Sequence, residues 1–109
     1  FDVDYEAKSA VNYEGREKAL VWVREQLKVN PAGSFEVLGW ANDSPYAEVN
    51  QTIANNRAKY LVDFLTLSGI PKDRIASVKA GEGEAGPRAR ITALPGGCTR
   101  EGGNGPCKG

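Results

Sequence analysis

The chain has 109 residues, 40% hydrophobic and 26% charged, which fits one globular domain with a modest core rather than a disordered or fibrous chain. Lys plus Arg equals Asp plus Glu at 14 each, with no run of basic residues, so nothing supplies the positive field that a nucleic-acid backbone needs. The longest apolar run, "ALVWV" over residues 19–23, is flanked by charges and far shorter than the ~20 residues that cross a bilayer as a helix, so a soluble domain without a transmembrane segment is expected.

The opening "FDVDYEAKSAV" alternates, with Phe1, Val3 and Tyr5 on one side, and predicts a short strand. Asn12 can cap the helix that follows. Glu14 and Glu17 lie in its first turns, where the helix dipole favours acids, and Leu20, Val23 and Leu27 recur at helical spacing. That helix stops at "NPAG", residues 30–33. "SFEVLGWAN" predicts a second strand with Phe35, Val37 and Gly39 on one face and Glu36, Leu38 and Trp40 on the other.

A second long helix is expected from 49 or 50 to 68, with Asn50 as its cap and Ala54, Ala58, Leu61 and Leu65 as its inner line. Gly69 can take the left-handed position after its end, Ile70 can close on Leu65, and Pro71 blocks continuation. "RIASVKA" is a third strand, "GEGEAGP" a turn and "RARITAL" a fourth strand. The order strand, helix, strand, helix, strand, strand describes an α/β (α+β) sandwich of βαβαββ form, with two helices on one face of a four-stranded mixed sheet. This domain covers residues 1–94, and residues 95–109 form a Gly-rich tail with no packing signal.

The chain begins at Phe1 and lacks Met throughout, which reads as an excised piece of something longer. Cys98 and Cys107 lie in the tail, and with no His in the chain a zinc site is disfavoured. A local disulfide is the preferred reading, with two free thiols as the alternative. Closing a loop of about 10 residues would contribute roughly 2.7 kcal/mol at most on the chain-entropy model, and would imply an oxidising compartment.

Catalysis has few candidates without histidine. Glu82 and Glu84 in "GEGEAG" could pair as glycosidase carboxylates do, but a Glu in a Gly-rich turn is far more often a solvated acid. The same stretch lacks the Gly-Lys-Ser/Thr ending of a phosphate loop. Asp2, Asp4 and Glu6 alternate like a solvent face and lack the spacing of a hard-cation loop. Trp22 reads as core, whereas Trp40 borders the polar turn 42–44 and could serve either core or ligand. No enzyme, metal or cofactor is expected.

Arg57 stands out. It lies four residues from both Ile53 and Leu61, on the flank of the buried stripe, near the carboxyl end of the strand carrying Gly39, where ligands of α/β sheets tend to sit.

At these residues the chain resembles the OmpA C-terminal-like (OmpA/MotB/Pal) peptidoglycan-binding domain family. The family signature runs Gly, aromatic or His, Thr, Asp, a Gly-containing loop, Asn, then Leu-Ser-x-x-Arg-Ala. "GWANDSPYAEVNQTIANNRA" offers Gly39, Trp40, Ala41, Asn42, Asn50, Ile53, Ala54, Arg57 and Ala58 at that spacing without a gap. A later Gly-x-Gly-Glu-x-x-Pro matches Gly81, Gly83, Glu84 and Pro87, and the closing strand of the family looks like "RARIT".

The resemblance implies non-covalent binding of the diaminopimelate residue of a peptidoglycan stem peptide, anchoring an envelope protein in the periplasm of a Gram-negative bacterium. Other envelope proteins are possible further partners. It gives Arg57 the ligand carboxylate, a charge-assisted fork that Lys could not copy, and makes Asn50 the loop-ordering asparagine. The family's Thr is Ala41 here and its Asp is Asn42. Asn42 keeps a carbonyl acceptor for the ligand ammonium but loses the charge, a weakening of about 1–3 kcal/mol unless Asp43, one residue on, compensates. The alternative implied by these departures is an OmpA-like domain kept as a structural or protein-interaction part of an envelope or secretion assembly. An internal Arg57–Asp43 salt bridge would favour it.

Overall fold

The computed structural model describes residues 1–83 and 86–95. In chain order these form β1 (Asp2–Asp4), α1 (Tyr13–Val29), β2 (Ser34–Trp40), α2 (Ala47–Leu67), β3 (Ile75–Ala80) and β4 (Arg88–Leu94), with one 3-10 turn at Lys72–Arg74. The sheet order is β1-β4-β2-β3. β2 and β3 run parallel across the α2 crossover, while β4 pairs antiparallel with both β1 and β2. This is the expected βαβαββ sandwich, two helices on a four-stranded mixed sheet.

Local sequence explains most boundaries. Asn12 accepts from the Gly15 N–H at 2.8 Å and caps α1. The end of α2 is a Schellman motif: the Ile70 N–H donates to Leu65 O at 3.0 Å and the Gly69 N–H to Thr66 O at 3.1 Å, with Gly69 at φ +109°. Its start differs from expectation. α2 begins at Ala47, with Tyr46 in the cap position and no side-chain cap bond, so Asn50 lies inside the first turn and is not the cap. Its side chain is engaged elsewhere, as described below.

The core lies between the sheet and the helices. Val3, Phe35, Val37, Ala89 and Ile91 from the strands meet Ala19, Leu20 and Val23 of α1 and Ala58, Leu61 and Leu65 of α2. Each fully buried Leu, Ile, Val or Phe contributes about 1.5–3 kcal/mol of transfer free energy before chain entropy is charged against it. Trp22 is half-buried and stacks toward Phe1 and Phe35 at centroid distances of 5.8 and 6.0 Å. Gly39 is the point of nearest approach. A Cβ there would stand 2.1 Å from the Ala54 carbonyl oxygen, so α2 crosses the end of β2 with backbone against backbone. The crossing falls at Ala54 rather than at the first turn of α2, and this brings Arg57 under the end of the strand.

β4 ends at Leu94. Cys98 and Cys107, and the disulfide expected of them, lie outside the described residues. So does Glu84, one of the two carboxylates weighed as a pair.

Candidate functional site

Arg57 belongs to the inner face of α2 and is fully enclosed, at 0% exposure. A guanidinium has five N–H donors and cannot shed its charge, so enclosure is tolerable only if those donors find acceptors. They do. Nε donates to Ser9 O at 2.8 Å, Nη1 to Trp40 O at 2.9 Å and Nη2 to Glu6 O at 3.3 Å. The two outward N–H groups form a fork onto Asp43, with Nη1 to Oδ1 and Nη2 to Oδ2 both at 3.0 Å. Tyr5 lies under the guanidinium, 5.1 Å from its carbon to the ring centroid.

Three chain segments therefore meet on one side chain: the loop after β1, the last residue of β2 and the loop between β2 and α2. The Asp43 carboxyl is 2% exposed and also accepts the Lys8 backbone N–H. Lys8 is the one non-glycine residue at positive φ, +62°, among those described. Hydrogen bonds from Arg57 hold the Asp43 carboxyl below its ordinary acid range, burial opposes this, and the Lys8 N–H and the Arg57 charge reinforce it. Burial pushes the Tyr5 phenol up to about 12, with the Arg57 charge pulling the other way.

Asn50 closes the loop between β2 and α2. Its Oδ1 accepts the Ser44 N–H at 3.0 Å and its Nδ2 donates to Ser44 O at 2.8 Å, a two-way clamp that fixes residues 44–50 as a unit. Ala41 is half-buried and Asn42 is exposed beside it. Asn42 and Arg57 do not touch among the hydrogen bonds of the site; the residue that reaches the guanidinium is Asp43. Trp40 is buried at 8% and donates its indole N–H to Glu82 O at 3.0 Å, covering Gly81, where a Cβ would meet the indole at 2.2 Å. Trp40 is thus a packing residue at the rim rather than a free platform.

Two open clefts flank this corner, and Arg57 lines neither. One, of about 440 Å³, is bounded by Asp4, Tyr5, Glu6, Ser9, Val11 and Asn12. The other, of about 420 Å³, includes Trp40, Ala41, Asn50, Gln51, Ala54 and Gly81. Among the described residues no cluster of three or more metal-ligating side chains is found, and no helix is long and apolar enough to cross a membrane. Sequence reasoning named Arg57, Asp43 and Asn50 but missed Glu6, Lys8 and Ser9. These three act through backbone atoms, which leave no signature in residue type.

A profile of the OmpA family matches residues 8–93. The chain belongs to the OmpA family. Outer membrane protein A of Serratia marcescens is 36% identical over 80 residues, which cover 72% of this chain and 22% of that protein, so the match spans less than a quarter of the relative. The peptidoglycan-associated lipoprotein of Burkholderia pseudomallei has the same fold, with a TM-score of 0.68 and 19% identity over 85% of this chain and 89% of that one. The periplasmic domain of Helicobacter pylori MotB gives a TM-score of 0.63 at 15% identity over 84% of this chain and 69% of its own.

Proposed function

We propose that this OmpA-family domain binds peptidoglycan non-covalently and thereby anchors a larger envelope protein to the cell wall of a Gram-negative bacterium. The ligand is the diaminopimelate residue of the stem peptide, with its carboxylate directed to the Arg57 corner. The observation that supports this best is an arginine held at the carboxyl end of a parallel strand pair in a chain of the OmpA family, while its internal fork onto Asp43 favours the second reading below. The name of one relative of the same fold, a peptidoglycan-associated lipoprotein, agrees with it. Asn42 supplies a neutral acceptor to the ligand ammonium, Asp43 stands next to it, and Asn50 keeps the loop in shape. The role is binding, not catalysis, and the setting is the periplasm.

The direct test is retention on purified diaminopimelate-type sacculi. Wild-type chain should be retained, Arg57→Lys, checked by thermal melting to be folded, should be lost to the supernatant, and Asn42→Asp should be held more tightly. A second reading is a structural or protein-interaction module of an envelope or secretion assembly. It is favoured by the full enclosure of Arg57 and by the spending of all five of its donors within the chain. Failure of both wild type and Asn42→Asp to sediment with sacculi would select that reading.

A further inference from the structure

We infer that Asp43 is a resident carboxylate: it occupies the seat at Arg57 that an external ligand carboxylate takes in exchange, and so sets the affinity of the site. This rests on the stem-peptide reading above. The five acceptor atoms around Arg57 divide into two kinds. Ser9, Trp40 and Glu6 contribute backbone carbonyls, fixed by the chain path, and these hold the guanidinium from behind. Asp43 contributes a side chain, and it alone fills the two-pronged front of the fork.

The seat is built around a carboxylate rather than around Asp43 as a residue. Arg57 gives two parallel N–H groups, and the Lys8 backbone N–H adds a third donor to the same oxygen pair from a left-handed residue, a conformation that a non-glycine side chain disfavours. The backbone carrying Asp43 lies between exposed neighbours, Asn42 before it and Pro45 and Tyr46 after Ser44. In the proposed exchange the Asp43 carboxylate turns from its enclosed seat, 2% exposed, out past these neighbours, and Arg57 and the Lys8 N–H then face the vacated seat. Two carboxylates cannot share it. The external carboxylate binds only the fraction of molecules in which Asp43 has left, so its apparent dissociation constant is the intrinsic one divided by that fraction.

The test removes the resident. Asp43→Ala and the isosteric Asp43→Asn are titrated with sodium acetate against sodium chloride at equal ionic strength, reading the melting temperature and the Arg57 Nε–H resonance. Acetate should raise the melting temperature saturably and shift the Arg57 resonance in both variants, and do neither in wild type. A diaminopimelate-containing muropeptide should bind Asp43→Asn at least about 10-fold more tightly than wild type, corresponding to a resident seated at least about nine-tenths of the time. No acetate-specific response in the folded variants overturns the inference, whatever muropeptide does. Equal muropeptide affinity of wild type and Asp43→Asn also overturns it, while leaving the stem-peptide reading intact. An acetate response with no muropeptide binding by any form upholds the carboxylate seat and sinks the stem-peptide reading instead.

Discussion

Among the described residues arginine pairs with aspartate in two places, and the contrast between them shows what enclosure does to a common interaction. On the open face of the sheet Asp2 bridges β1 to Arg90 at 2.7 Å and to Arg88 at 3.2 Å, with all three side chains roughly a third or more exposed. At the Arg57 corner the distance, 3.0 Å, lies between these two, but the side chains are 0% and 2% exposed. Water can replace either partner of Asp2. It reaches the inner pair only when Asp43 leaves its seat, so the seated inner pair fixes chain geometry and the outer pair only decorates it.

Breaking the inner pair should have the largest effect. Arg57→Ala strands three backbone carbonyls and an acid, and unfolding in denaturant should show a loss of about 3–5 kcal/mol. Arg57→Lys should recover little of it, because a single ammonium cannot serve acceptors spread around a planar fork. Gly39→Ala attacks the same corner from the sheet. Its methyl must push backbone from backbone, and the cost should be about 1–3 kcal/mol in the same assay.

Acid sharpens the comparison further. Asp43 and Asp2 both have acid constants held below the ordinary 3.8, mainly by hydrogen bonds from Arg57 and Arg90 respectively. A depressed folded-state value means stability that is complete above the ordinary value and is lost as pH falls through the folded one. Wild-type stability should therefore decline below about pH 4. The decline should be flattened more by Asp43→Asn than by Asp2→Asn when melting is followed from pH 6 to pH 2. Smallest of all, Asp2→Asn at neutral pH should move the melting temperature by no more than about 3 °C.

Much of the fold was legible because its signals are local. Asn12 before an acidic first turn, and Gly69, Ile70 and Pro71 in sequence, each specify a helix end by short-range bonds that the structure contains. The start of α2 was misread for a physical reason. Asn50 has the right chemistry for a cap but spends both ends of its amide on Ser44, and the helix runs on to Ala47 without a side-chain cap. The β1-β4-β2-β3 order is a matter of long-range pairing, to which residue periodicity is blind. At the site, spacing singled out Arg57, yet an arginine beside an apolar stripe usually sends its head to water. That it turns wholly inward depends on carbonyls of Glu6 and Ser9, some fifty positions earlier in the chain, which no pattern of residue types around 57 could announce.

The contact between Gly39 and Ala54 has a consequence for change over evolutionary time. Because it is made backbone to backbone, substitutions around it leave it in place, and a side chain at position 39 is what would push it apart. The segment from Ala41 to Tyr46 lies outside that contact. Apart from Asp43, its side chains make no hydrogen bond to Arg57, so Ala41, Asn42, Pro45 and Tyr46 can be substituted while the guanidinium keeps its partners. The fold thus separates a fixed anchor point from an editable rim, so what is gripped can be altered without rebuilding the grip.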